Sequence, residues 1–240
     1  MAQATQTTKS AKNVFNINRY PRAATTADQI LHKGDVLFWM GDKLTDIFLV
    51  RSGSLKLYRI AQSGELQILG FYQAGDIVGL DALDKGISNC IAEALDTIHV
   101  ERVDVTDVVS GIGPVSASDV LTKGAMALQR EYDLTLVLSQ RAADRRLAWF
   151  LLEYARGQAE RGYSAAEFSL PMSRTDLAHY LGLALETTCR ELAKMCELGI
   201  LCKSRRSISI LDHNALEQLA EGTCADSVQA TSARISATTH

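Results

Sequence analysis

Between Ile30 and Val105 the chain is cut by glycine turns at intervals of about ten residues: Gly34-Asp35, Gly41-Asp42, Gly53-Ser54, Gly64-Glu65, Gly75-Asp76 and Gly86. The runs between them, VLFW, IFLVRSG, SLKLYRI, LQILGFY, DIVGL and TIHVERVDV, are each about strand length. Leu55 and Leu57 alternate with Lys56 and Tyr58, the two-residue period of a strand. Short strands with regular turn signals predict a β-roll or barrel.

The punctuation stops after Gly111-Ile112-Gly113-Pro114. From about Val115 to Gln158 the spacing predicts a long helical stretch, broken near Gly124. One stripe holds Leu128, Tyr132, Thr135 and Leu138, and an adjacent one holds Leu134, Val137 and Arg141. Two stripes are more than one contact within a domain requires. They favour a parallel pairing with a second copy over burial on two sides of one chain. Asp133 and Asp144 near this seam oppose association unless paired.

The last third is a compact helical unit. Phe168-Ser-Leu-Pro171 reads as a strand entering a turn, and Ser173-x-x-Asp176 as a capping box. RTDLAHYLG is a short helix ended by Gly182, and a second helix runs from about Ala184 to Leu198. Residues 200–203 and 207–211 then pair across Ser204-Arg205-Arg206. Ala178 is the small residue at a helix crossing, and Leu177, Leu181, Leu183, Leu192 and Met195 form the inner face. That leaves Glu186, Thr187, Cys189 and Arg190 pointing outward. In a helix-turn-helix this half of the second helix enters the major groove. There arginine bonds guanine O6 and N7, and a carboxylate accepts from cytosine N4. Ser173, Arg174, Thr175, Thr187, Lys203, Arg205 and Arg206 are placed for the phosphate backbone. From Ser169 to Leu211 six basic residues face four acidic ones, a modest excess. A winged-helix interaction module remains the rival reading of these residues.

The fold class is therefore α+β. A disordered arm (1–27) precedes a β-roll domain (28–114). A dimerisation helix and hinge (115–160), a winged helix-turn-helix (161–221) and a flexible tail (222–240) follow. With 240 residues, 47% hydrophobic and 22% charged, the composition is globular, and a net charge of −3 argues against a protein that is basic overall. A local basic patch still suffices for nucleic acid. No apolar run reaches the roughly 20 residues of a membrane helix, and MAQATQTTKSAKNVF lacks a secretory signal's apolar stretch, so the expected location is the cytoplasm. The five cysteines, Cys90, Cys189, Cys196, Cys202 and Cys224, show no C-x-x-C spacing and read as free thiols. No metal site is expected. Nor is an enzyme, since no phosphate-binding loop, G-x-S-x-G or H-E-x-x-H occurs and the Ser173, Asp176 and His179 spacing is explained by capping.

LPMSRTDLAHYLGLALETTCRELAKMCELGIL closely resembles the DNA-binding domain of the CRP/FNR family of bacterial transcription regulators. GELQILGFYQAGDIVGLDAL followed by IAEALDTIHVERV resembles that family's sensory β-roll, particularly in the FNR branch. LVLSQRAADRRLAWFLLEYARGQAERGYSAAEF is similar to the end of its dimerisation helix and hinge. The resemblance implies a homodimer binding double-stranded DNA and contacting RNA polymerase, with contacts expected around Leu69 to Asp76 and Ala165 to Glu167. In the FNR branch a Glu-x-x-Ser-Arg pattern reads a TTGAT half-site. Glu186 and Arg190 stand at its Glu and Arg, while Cys189 replaces the serine. A thiol there beside Arg190 is a candidate redox switch, weighed against a tolerated serine substitute.

Oxygen-sensing relatives hold a 4Fe–4S cluster on an N-terminal cysteine group and one cysteine of the roll. This chain has no cysteine before Cys90, and Glu101 stands at the roll position, so no such cluster is expected. The cAMP-responsive branch needs a glutamate after a glycine and an Arg-Ser pair for the phosphate. Gly79 is followed by Leu80, and the pair reads Ser88-Asn89, so no cAMP is expected. Two readings remain: a FixK-like regulator without cofactor, and a haem-dependent nitric-oxide responder with His32 and His99 as candidate axial ligands.

Overall fold

The computed structural model describes residues 27–139, 142–204 and 207–222. The expected arm before Ala27, Arg141, Arg205, Arg206 and the tail beyond Gly222 lie outside them. The chain divides into two compact units between Met126 and Ala127.

The first unit is built from eight strands: β1 (Ala27–Leu31), β2 (Val36–Phe38), β3 (Asp46–Ser52), β4 (Ser54–Ile60), β5 (Leu66–Gln73), β6 (Ile77–Val78), β7 (Ile91–Ala94) and β8 (Ile98–Asp104). They form two antiparallel sheets, ordered β1-β8-β3-β6 and β2-β7-β4-β5. Leu31, Phe38, Phe48, Leu55, Ile98 and Val100 belong to the main core, where the rings of Phe38 and Phe48 stack at 5.9 Å. A second core, Ile47, Ile77 and Val103 with Val108 and Val115, forms on residues of the alternate strand positions. Gly53 makes the β3–β4 reversal possible. Its φ of 78° favours glycine, and a Cβ there would sit 2.4 Å from the Thr97 carbonyl oxygen. Asp96 closes the same turn by accepting from the Ser54 N–H at 2.8 Å and the Ser54 hydroxyl at 2.7 Å.

Three details depart from the sequence reading. Pairing begins at Ala27, so the last residue assigned to the arm is already a strand residue. β7 was not legible because IAEA is half alanine, a weak strand former. Yet Ala92 and Ala94 are fully buried in a strand flanked on both sides, where small side chains fit. The alternation in β4 does not leave a polar face in water: Lys56 and Tyr58 are buried as well. Lys56 lies opposite Glu93 on β7, with Nζ 3.4 Å from the carboxylate, and its ammonium stands 5.3 Å from the Tyr58 ring centroid.

After β8 come α1 (Val105–Ser110) and α2 (Ala117–Ser139). Asp104 caps α1 by accepting from the Thr106 N–H, and left-handed Gly111 ends it, so TIHVERVDV is a strand that turns into a helix. α2 passes through Gly124 without interruption; the break falls instead before α3 (Ala143–Glu160), at extended Ala142. The expected stripes of α2 also separate. Leu134 and Val137, expected at the dimer seam, are buried within the protomer, whereas Leu128 and Leu138 are exposed together with Leu121 and Tyr132.

The second unit continues with β9 (Glu167–Ser169), α4 (Arg174–Leu181), α5 (Leu185–Glu197), β10 (Leu201–Ser204), β11 (Ser207–Ile210) and α6 (His213–Glu221). The strands form an antiparallel sheet ordered β10-β11-β9. α3 packs against α5 and α6 over Leu147 and Leu151, both fully buried. Phe150 meets Tyr180 edge-on at 5.8 Å. Tyr154 packs on Phe168 at 5.2 Å and donates its hydroxyl to the Ser169 carbonyl at 3.1 Å. The hairpin is the end of this unit that the sequence predicts, and α6 extends the unit beyond it. Its signals were present: Asp212 accepts from the Ala215 N–H at 2.9 Å, and left-handed Gly222 closes the helix.

Candidate nucleic-acid interface

α4 begins on a complete capping box. Ser173 Oγ accepts from the Asp176 N–H at 3.0 Å, and the Asp176 carboxylate accepts from the Ser173 N–H at 3.1 Å. The helix ends on Gly182, whose φ of 59° and ψ of 42° are left-handed. The Leu183 N–H then reaches back to the Ala178 carbonyl at 2.9 Å and fixes the turn into α5.

On α5, Thr188, Leu192 and Met195 are buried at helical spacing and face the core. Thr188, which the sequence reading did not place, is fully buried, and its hydroxyl donates to the Ala184 carbonyl at 3.2 Å. The inward stripe leaves Glu186, Cys189 and Arg190 exposed together, with Thr187 half-buried at the edge. Arg190 pairs with its neighbour Glu191, Nε to Oε1 at 3.4 Å, and its side chain is 68% exposed. An ion pair that open to water is weak, so the guanidinium fork stays available for a base edge. No side chain caps the α5 N-terminus, which leaves its first-turn N–H groups pointing outward, as an approaching phosphate requires.

Around this face Ser173, Thr175 and Lys203 are exposed as expected. Ser173 is engaged in its cap, which limits it to accepting or sharing a further bond. Arg174 is not simply a surface cation. It is half-buried, its Nη1 is enclosed without a hydrogen-bond partner among the described residues, and desolvation lowers its pKa while Cys189 and Cys196 act in the opposite direction.

In the roll, Glu101 is buried and held by Arg51, whose Nε donates to its carboxylate at 2.5 Å. A carboxylate locked in this way does not fit the fourth place of a thiolate cluster. Asp81 closes the loop following Gly79. Its Oδ2 accepts from the Asn89 N–H at 2.7 Å, the Ser88 hydroxyl at 3.2 Å and the Cys90 thiol at 3.5 Å, and its Oδ1 is enclosed without a partner among the described residues. A carboxylate rather than a cation stands at this loop, which does not suit an anionic phosphate. Burial, with Asp81 adding to it, pushes the Cys90 thiol up to about 12. The histidines do not fit enclosed haem ligands. His32 is 77% exposed beside Asp35, and His99 Nε2 lies 3.2 Å from the Asp28 carboxylate.

Residues 145–219 match the Crp-like helix-turn-helix domain, and residues 29–110 match the cyclic nucleotide-binding domain. The chain is 38% identical to the fumarate and nitrate reduction regulatory protein of Escherichia coli K12 over 192 residues, 79% of this chain and 77% of that protein. Its structure is similar to FixK2 from Bradyrhizobium japonicum, with a TM-score of 0.72 and 29% identity across 81% of this chain and 97% of that one. A CRP-family transcriptional regulator from Thermus thermophilus shares the fold at a TM-score of 0.65, with 18% identity over 80% of this chain and 96% of that one. The two-sheet roll, the long helix and the winged helix-turn-helix thus follow one another as in these proteins, and the chain belongs to the CRP/FNR family of DNA-binding transcription regulators.

Proposed function

We propose that the protein is a homodimeric regulator that reads a TTGAT-N4-ATCAA-like palindrome through Glu186, Cys189 and Arg190 and acts on transcription in the cytoplasm by contacting RNA polymerase. The observation that carries this reading is the joint exposure of those three side chains on the N-terminal half of α5, opposite its buried stripe. Arg190 takes guanine, and Glu186 accepts from cytosine N4. Arg174, Thr175, Thr187 and Lys203 meet phosphates, together with Arg205 and Arg206. The exposed α2 residues Leu121, Leu128 and Tyr132 form the seam with a second copy.

The reading includes no iron–sulfur cluster, cyclic nucleotide or haem, and no catalytic step. The relatives' name, fumarate and nitrate reduction, supports a redox, oxygen or nitrogen-oxide response. Cys189 is the candidate sensor: it is exposed on the same face as Glu186 and Arg190. Oxidation by a peroxide would give a sulfenic acid and water, adding bulk and an acidic group against the bases.

The test is fluorescence anisotropy of metal-free protein on the palindrome and on a scrambled duplex at fixed salt, with and without reductant. Selective binding without added cofactor is expected, weakened by peroxide and restored by reductant. Full peroxide sensitivity in Cys189→Ser would remove the thiol from the reading, and equal binding to both duplexes would remove the palindrome.

A further inference from the structure

Two consecutive arginines, Arg145 and Arg146, sit in the first turn of α3, whose N-cap is Ala142. Cations are poorly placed at a helix N-terminus, where the backbone dipole is positive. Both reach instead to the C-terminal ends of other helices, where the dipole favours a cation. Arg146 Nη1 donates to the Leu181 carbonyl at 3.0 Å and the Gly182 carbonyl at 3.2 Å. Arg145 Nη2 donates to the Gly222 carbonyl at 3.1 Å, at the end of α6.

The space around both helix ends is shaped for these contacts. A Cβ on Gly222 would lie 2.0 Å from Arg145 Cζ. One on Gly182 would lie 3.5 Å from Arg146 Nη1 and 3.7 Å from Leu138 Cδ2, in the last turn of α2. The Gly182 N–H already bonds the Ala178 and His179 carbonyls, and Arg146 takes two further carbonyls beyond them. Leu181-Gly182 is also the turn that aims α5. Its direction is therefore tied to the start of α3 by one guanidinium nitrogen shared between two carbonyls.

We infer that Arg146, supported by Arg145, is a positioning residue that sets the angle of the recognition helix α5 against the start of α3. In a dimer it holds the two α5 helices at one half-site spacing. This rests on the proposed reading of a dimer on a palindrome.

The experiment compares full-length wild type with Arg146→Gln and Arg146→Lys on palindromes with spacers of three, four and five base pairs and on a single half-site. Wild type is expected to prefer one spacing. Arg146→Gln should lose about tenfold on that spacing, keep its half-site affinity and so lose discrimination, with Arg146→Lys recovering part of it. Unchanged spacing preference in Arg146→Gln would overturn the inference. So would an equal loss on full and half-sites, which marks a merely structural role. Hydrogen exchange without DNA is the second readout: Arg146→Gln should expose the Leu183 amide, and unchanged protection would count against the clamp. A wild type that ignores the palindrome would sink the dimer reading while leaving the exchange result to judge the clamp.

Discussion

Arg190 and Cys90 show how position decides what a polar side chain can do. Arg190 is largely in water, its pair with Glu191 is weak, and its fork is free to turn toward a guanine edge. Lysine keeps the charge and loses the fork. Arg190→Lys is therefore expected to weaken binding to the palindrome by about 1–3 kcal/mol and leave the scrambled duplex nearly unchanged, measured by anisotropy at one salt concentration. Equal weakening on both duplexes would make Arg190 a phosphate contact instead. Cys90 is the opposite case, buried with Asp81 and Ser88 at its sulfur. Its thiol is held at about 12 against an ordinary 9.0, so the folded protein keeps a proton that the unfolded chain gives up first. The stability this gives is present below about pH 9 and lost as pH rises toward 12, with a slope bounded near 1.4 kcal/mol per pH unit. Urea titrations at rising pH are expected to show a steeper alkaline loss in wild type than in Cys90→Ala. Parallel curves would place the loss elsewhere.

At the scale of elements, α2 shows how one helix serves two surroundings. Leu134 and Val137 are buried in the protomer, while Leu121 is 75% exposed, Leu128 51% and Tyr132 58%. These last three recur at spacings of seven and four residues, which place them along one side of the helix. Leu128→Glu would set a carboxylate against its symmetry mate in a parallel dimer. It should yield a monomer by analytical ultracentrifugation, with palindrome affinity reduced by roughly 100-fold or more and half-site affinity retained. A variant that remains dimeric would move the seam to another face. α4 and α5 divide their work in a comparable way: the first is closed by side-chain caps at its start, and the second is left uncapped where its N-terminus meets solvent.

For the whole molecule, a net charge of −3 means that DNA binding rests on local cations rather than on the overall field. With four phosphate-facing cations in each protomer, about eight in the dimer, affinity for the palindrome should fall on the order of 10,000-fold between 50 and 200 mM salt. A flat salt dependence would mean that the cations named here do not meet phosphates. The order of units was legible from the chain because glycine turns, a long two-striped helix and a capped helix-turn-helix are local patterns, each set by residues within a few positions of one another. The exposure of Glu186, Cys189 and Arg190 was legible for the same reason: it is the complement of an apolar stripe with helical period. Other features depend on contacts between residues far apart in the chain. The burial of Lys56 needs Glu93 on a neighbouring strand, and the locking of Glu101 needs Arg51. Nothing in the sequence near Leu134 says that it, rather than Leu128, is covered. Nothing in the sequence near Arg145 and Arg146 names the carbonyls at the ends of α4 and α6 that they meet. Local backbone preference and periodicity write the elements and their faces into the sequence; which face is covered, and which charge meets which carbonyl, is decided only when distant segments compete for the same space.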